Sequence, residues 1–338
     1  MSKRIILLAN LGSPDSPETK DVKTYLSEFL MDERVIDLPY LLRTILVRGM
    51  IVPFRASQSA EKYKTIWTEE GSPLITITKK LATLVQEQSH MPTYVCMRYA
   101  NPSTKYALDA ISKEHPDCTE VVLLPLYPHY AMSSYETAVV QVKEIYSQVN
   151  YSFKLKVVPP YYSHPSYIKA LAASIKPYLS SPYDHLLFSY HGVPERHIKK
   201  GDITGKHCLN SPDCCTNKSE AHSFCYRHQV KTTMELVAKE LNLQSEKYSI
   251  SFQSRLGQDK WLKPSTTEKL KAFPDEGIKK LLVVCPAFVS DCLETLEEIQ
   301  VEGKHDYLFS GGQTYTVIPC LNTNEQWVST INELIKEA

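Results

Sequence analysis

Eight short apolar runs constrain the fold of this 338-residue chain more tightly than anything else in it. In the first half they span 5–9, 94–97, 121–124 and 155–158; in the second they span 186–189, 248–252, 281–285 and 315–318. Each is closed by turn-forming or polar residues. Segments of helical periodicity lie between them, such as 73–88, 133–146, 166–179 and 218–241. This alternation implies parallel βαβ units with right-handed crossovers. Apolar runs without polar alternation imply strands covered on both faces. The expected fold is therefore α/β, two similar doubly wound domains with a four-stranded parallel sheet in each. Their expected limits are 1–163 and 164–322, with a cysteine-rich insertion near 206–228 and a last helix, 323–338, packing back on either domain.

Lysine plus arginine equals aspartate plus glutamate, 38 against 38, so no global field draws the chain to nucleic acid. Any partner must be recognised locally. The start, Met1-Ser2-Lys3-Arg4 before Ile5-Ile6-Leu7-Leu8-Ala9, resembles an export signal, but so short an apolar run leading into a turn reads as a first strand. No stretch reaches the roughly eighteen apolar residues of a spanning helix, and the expected location is cytoplasmic. The nearest candidate, 38–54, is interrupted by Arg43, Arg48 and Pro53. It reads as a segment lying on the surface of the inner membrane, as a lid, or as an interdomain helix.

Open α/β sheets place ligands at the carboxyl ends of their strands, and here those ends are unusual. The first half supplies Asn10-Leu11-Gly12-Ser13-Pro14, Arg98-Tyr99-Ala100-Asn101-Pro102 and Pro125-Leu126-Tyr127-Pro128-His129-Tyr130. The second supplies Tyr190-His191-Gly192, Gln253-Ser254-Arg255-Leu256-Gly257 and Phe288-Val289-Ser290-Asp291. In two facing domains these ends line one cleft of aromatic rings, arginines, a histidine and carboxylates, a lining suited to a large flat apolar ligand. The last of them leads into a helix on which Asp291, Glu294, Glu298 and Glu302 recur every three or four residues and share a face, with Leu293, Leu296 and Ile299 opposite. Such a row is either a solvated helix face or a ladder of oxygen ligands. A lone histidine such as His191 is commonly a structural hydrogen-bonder. Paired with Glu294, it can accept a proton or meet a divalent metal while the carboxylates pass a cation or carry protons away.

Six segments in order carry a family resemblance: Asn10-Leu11-Gly12-Ser13-Pro14, Arg98-Tyr99-Ala100-Asn101-Pro102, Leu124-Pro125-Leu126-Tyr127-Pro128, Ser189-Tyr190-His191-Gly192-Val193-Pro194, Trp261-Leu262-Lys263-Pro264 and Ser290-Asp291-Cys292-Leu293-Glu294-Thr295-Leu296. Together they resemble ferrochelatase, the last enzyme of haem synthesis, over most of the chain. The resemblance implies a chelatase-like fold of two Rossmann-like domains and a lyase-class enzyme that inserts Fe(II), its substrate, into protoporphyrin IX. It implies that His191 takes pyrrole protons or meets the metal, with Glu294 as its partner and Glu298, Asp291 and Glu302 extending the acidic path. Leu11, Tyr63, Arg98, Tyr99, Ser133, Trp261 and Phe288 are then the porphyrin-binding residues. Cys292 stands where some members of the family carry histidine and many bacterial members carry cysteine, so the resemblance implies the activity but not an auxiliary role at this position.

Nine cysteines is an odd number for a disulfide framework. Cys96, Cys118, Cys285, Cys292 and Cys320 sit singly in or near apolar runs, as buried free thiols do. Cys208, Cys214, Cys215 and Cys225 instead crowd a polar insertion, where a metal site is a better account than disulfides. The adjacent pair Cys214-Cys215 does not match a zinc knuckle. Some ferrochelatases hold a [2Fe-2S] cluster on cysteines placed after the Ser-Tyr-His-Gly motif, so the resemblance implies that cluster here, with zinc as the alternative. His207, His222 and His228 are nitrogens able to replace one thiolate.

Two other functions fit the same residues: a chelatase for coproporphyrin or another tetrapyrrole, and a haem or metal carrier without turnover. A base opposite a carboxylate ladder argues against the carrier. The absence of G-x-G-x-x-G and G-x-x-x-x-G-K-[ST] loops argues against a nucleotide-binding protein.

Overall fold

The computed structural model describes residues 3–255, 257 and 259–338. Leu256, within one strand-end segment above, and Met1 and Ser2 of the N-terminal run lie outside the described residues. All eight expected strands form: β1 (Arg4–Asn10), β2 (Thr93–Met97), β3 (Glu120–Pro125), β4 (Lys154–Val157), β5 (His185–His191), β6 (Tyr248–Gln253), β7 (Lys280–Val284) and β8 (Thr314–Val317). They make two four-stranded sheets of the same order, β2-β1-β3-β4 and β6-β5-β7-β8, and every pairing is parallel. The central strands β1 and β5 are buried along almost their whole length, which is why their sequences lack polar alternation.

The helices depart from the simple reading in instructive ways. The expected helix over 133–146 opens as a π-helical turn, Met132–Glu136, and continues as Thr137–Val149. That over 166–179 ends in a 3-10 turn at Lys176–Ser180. The segment 218–241 is divided into a 3-10 turn, Glu220–Phe224, and a helix, Tyr226–Glu240, by Cys225 in an extended conformation. The segment 38–54 joins a longer helical run of three parts, Tyr40–Thr44, a π-helix at Ile45–Ile51, and Val52–Ile66.

The chain divides into two compact units. One comprises the chain up to Tyr127 with Met132–Pro159 and Thr323–Ala338; the other comprises Pro128–Ala131 and Pro160–Asn322. The last helix, Glu325–Glu337, belongs to the first unit and buries Trp327, Val328, Ile331, Leu334 and Ile335. There Gln88 donates to Ser329 Oγ at 3.0 Å and accepts from Asn332 Nδ2 at 2.9 Å.

Candidate functional site

In the second unit, the glycine after β5 fixes the site. A side chain on Gly192 would meet the carbonyls of Gln253 and Ser254 at 2.8 and 2.9 Å and the Trp261 ring at 3.3 Å. Only hydrogen fits there, so the end of β5 lies directly against the end of β6, with Gly192 N donating to Gln253 O at 2.7 Å. Glu195 N donates to Lys260 O at 2.8 Å and Leu262 N to Val193 O at 3.1 Å, so the Ser-Tyr-His-Gly-Val-Pro and Trp-Leu-Lys-Pro segments are clasped to each other. His191, the last residue of β5, is half-buried beside Phe288, its ring centroid 6.1 Å away and edge-on. Tyr226 Oη donates to its carbonyl at 2.9 Å. The His191 Nδ1 atom is buried without a hydrogen-bond partner among the described residues.

Burial lowers the His191 pKa below the usual histidine value, while the charge of Glu294 opposes the shift. The imidazole is therefore a neutral base near pH 7, with a carboxylate near enough to stabilise the cation it becomes. Gln253, which the sequence reading placed only as part of a strand end, ties this region together. Its Oε1 accepts from Ser189 Oγ at 2.9 Å, and its Nε2 donates to Glu294 O at 3.4 Å. Burial, together with the charge and hydrogen bond of Glu294, holds the Cys292 thiol protonated, pushed well above its ordinary value. At this position the chain thus sets a donor to Glu294 and not a second base.

The acidic row starts later than the sequence implies. The helix is π-type over Glu294–Gly303, a form concentrated at functional sites. Asp291 precedes it and is spent on the turn: its carboxylate accepts from Thr295 Oγ1 at 2.9 Å and Asn322 Nδ2 at 2.6 Å, while Asn322 Oδ1 accepts from Asp291 N at 2.8 Å. Asp291 therefore stands outside the shared carboxylate face. Widening to an i→i+5 ladder also changes which side chains are covered, so Thr295, Glu297, Ile299 and Gly303 are buried, while Leu293 and Leu296 are only half-buried. The row that remains runs from half-buried Glu294 and Glu298 to exposed Glu302. Ser254, at φ 58°, donates to Glu298 Oε2 at 2.5 Å and fixes that carboxylate from the end of β6. Phe288 and Ile299 pack on the core of Leu187, Phe273, Val283 and Tyr307, which anchors both sides of the row.

The first unit repeats the close approach. A side chain on Gly12, at φ +105°, would fall 1.9 Å from Tyr99 O, while Tyr99 N donates to Leu11 O at 2.9 Å and Arg98 N to Asn10 O at 2.8 Å. Arg98 is held by Asp32 and by Thr137 Oγ1, the latter at 2.6 Å, and its guanidinium lies 4.3 Å above the Tyr99 ring. Tyr99 Oη donates to Asp32 at 2.9 Å, and the ring is fully buried. Burial pushes the Asp32 carboxyl up, but the Thr137 hydroxyl, the Arg34 backbone N–H, Arg98 and Tyr99 together hold it below the usual range. Arg98 and Tyr99 thus brace this strand end from beneath. Leu11 and Ser133 are half-buried, and Tyr63 is buried with its ring edge-on to Tyr25 and Trp67. The helical run 40–66 buries Val47, Val52, Ala56, Ala60 and Tyr63, yet toward its start Arg43 is also buried and donates to the Ile36 and Leu38 carbonyls at 3.2 Å, while Tyr40, Leu41, Ile45, Met50 and Phe54 are exposed, Phe54 to 79%.

The insertion gathers Cys208, Cys214, Cys215 and Cys225, all buried and none in a disulfide. Cys225 is hydrogen-bonded to both Cys208 and Cys215, and Arg227 donates to Cys214 Sγ at 3.3 Å. Asp202 builds the loop before them, accepting from Thr204 N and Oγ1 at 2.9 and 2.6 Å, His207 N at 2.7 Å and Cys208 N at 2.8 Å. Burial pushes its carboxyl up, yet these donors hold it well below the ordinary value.

A profile of the family described as Ferrochelatase matches residues 3–338. A protein named ferrochelatase from Pseudomonas putida is 44% identical over 341 residues, covering 100% of both chains. One from Porphyromonas gingivalis is 43% identical, covering 99% of this chain and 96% of its own. Among solved structures, SirB from Bacillus subtilis with Fe3+ superposes with a TM-score of 0.55 at 11% identity, covering 100% of this chain and 95% of its own. The sirohydrochlorin chelatase SirB in complex with cobalt gives 0.54 at 10% identity, covering 99% and 94%. At such identities the likeness speaks for the fold alone.

Proposed function

The chain belongs to the ferrochelatase family, metal chelatases of the lyase class that insert ferrous iron into protoporphyrin, and we propose that His191 and Glu294 carry this reaction here. The observation that carries the assignment is the buried Nδ1 of His191 at the end of a central strand, without a hydrogen-bond partner among the described residues, in a histidine whose pKa is lowered by burial against the opposing charge of Glu294. Fe(II) and a neutral porphyrin give neutral haem and two protons, so each turnover needs a base for two pyrrole N–H groups. His191 accepts a proton at a ring nitrogen, and the Glu294 charge stabilises the imidazolium. Glu298, fixed by Ser254, and Glu302, open to water, continue the acidic row along which iron arrives or protons leave. A planar macrocycle shields its nitrogens; rigid walls that bend it expose a lone pair to metal and a proton to base. In the second unit we assign such walls to Trp261 and Phe288, beside His191; for the first unit, considered by itself, the family resemblance assigns porphyrin contact to Leu11, Tyr63 and Ser133, with Arg98 and Tyr99 as their support.

Four buried, unbridged thiols on a loop tied by Asp202 fit a four-thiolate metal group, and Cys208, Cys214, Cys215 and Cys225 would hold a [2Fe-2S] cluster. Such a group supplies one-electron redox chemistry and a crosslink of the insertion. The exposed apolar face of the helical run 40–66, with Arg48 and Arg55 beside Met50 and Phe54, fits peripheral contact with an anionic membrane surface. No helix among the described residues is long and apolar enough to cross a membrane.

The test is an anaerobic assay with Fe(II), offering protoporphyrin IX and coproporphyrin III separately. Turnover of protoporphyrin IX is expected. Turnover of coproporphyrin III alone would reassign the substrate, and tight binding without insertion would make the chain a carrier.

A further inference from the structure

Beside the four thiols, three further donor atoms converge. His207 Nε2 lies 2.6 Å from the Cys214 carbonyl oxygen, His222 Nε2 lies 2.9 Å from the same oxygen, and the two nitrogens are 3.3 Å apart. Ligands about 2.1 Å from one cation stand roughly 2.9 to 3.4 Å from each other; two edges of this triangle, 2.9 and 3.3 Å, lie in that range, and the third, 2.6 Å, must open by a few tenths of an ångström to take a cation. Both imidazoles are half-buried, so water and ions reach them. Both are also held. His207 is fixed through its backbone N–H on Asp202. The His222 ring is stacked on His228 at 3.7 Å with planes 8° apart, and His228 Nδ1 is anchored at 2.8 Å on the Cys215 carbonyl.

We propose that His207 Nε2, His222 Nε2 and the Cys214 carbonyl oxygen form a second metal site, separate from the thiolates, for a borderline first-row divalent cation such as Zn(II) or Fe(II). Imidazole nitrogens with a carbonyl oxygen suit these ions, and solvent completes the coordination. A cation here ties the loop carrying Cys214 to the 3-10 turn Glu220–Phe224, so the two sides of the insertion are closed by an ion as well as by any group on the thiols. The site does not depend on what the four cysteines hold.

Zinc is the probe. The full chain as purified is equilibrated with Zn(II) against a competing indicator, and bound zinc, iron and acid-labile sulfide are counted per chain. Wild type is expected to hold one more zinc than His222→Ala or His207→Gln, each of which binds that ion at least tenfold more weakly. His207→Gln keeps a donor for the Cys214 carbonyl while removing the imidazole, so it separates ligation from hydrogen bonding. Iron, sulfide and chelatase activity are expected to be unchanged, and X-ray absorption of the extra zinc to show nitrogen and oxygen neighbours with imidazole scattering. Equal zinc in all three proteins, or sulfur in the shell of the one zinc that His222→Ala and His207→Gln fail to hold, would overturn the proposal.

Discussion

Gly192 and Glu294 hold His191 from two directions, and each makes a prediction. A methyl group at Gly192 must displace the carbonyl of Gln253 or Ser254, both backbone and neither able to swing aside. Gly192→Ala is expected to cost about 1–3 kcal/mol of stability and to lower turnover more than porphyrin affinity, read by denaturant titration and steady-state kinetics. For Glu294 the sign follows from the opposed effects on His191. Burial lowers the imidazole pKa and Glu294 raises it, so Glu294→Gln must move the acidic limb of the rate profile to lower pH as well as reduce the rate. A limb that stays in place would separate the two residues. The pairing of His191 with Glu294 was legible in the sequence because His191 closes a central strand and Glu294 opens the helical segment beyond the carboxyl end of its neighbour β7. The role of Gln253 was not, since nothing in a lone glutamine announces that it bridges Ser189 and the Glu294 carbonyl. Nor could spacing show that the Asp291 carboxylate is consumed by Thr295 and Asn322.

At the level of elements, the inner strands β1, β3, β5 and β7 were readable because parallel strands covered on both faces leave a nearly unbroken apolar signature, whereas the edge strands β4 and β8, partly exposed and mixed with lysine or threonine, were readable only from their place in the alternation with helices. The helices were less so. An apolar period near 3.6 cannot reveal that Glu294–Gly303 or Ile45–Ile51 winds as a π-helix, because that depends on how neighbouring turns are packed and capped. A carboxylate of the π-helical acidic row is held from another element where Ser254 donates to Glu298 Oε2. Ser254→Ala is expected to raise the KM for iron severalfold while leaving that for porphyrin within twofold. A change confined to porphyrin would contradict the assignment of the row to metal or protons. The insertion showed its thiols in the sequence but not their support, since Asp202 acts through a fold of the loop that has no regular period.

For the whole molecule, buried histidines set the acid limit. Burial lowers the His129 pKa to about 3 and the His185 pKa to about 4. Unfolded, each titrates near 6.5, so below that value the unfolded chain binds protons that the native chain refuses. Stability is therefore expected to fall as pH drops from about 6.5 toward 4, by up to roughly 1.4 kcal/mol per pH unit for each histidine. His129→Gln, which keeps a polar partner for Thr233, should flatten that slope in denaturant melts at pH 7, 6 and 5. The central claim is that His191 is the base of metal insertion. It is tested most directly by single-turnover Fe(II) insertion in His191→Ala, with porphyrin binding measured in parallel by fluorescence quenching. The account predicts porphyrin binding within a few-fold of wild type and insertion slowed by at least about a hundredfold. Insertion at the wild-type rate with binding intact would contradict it.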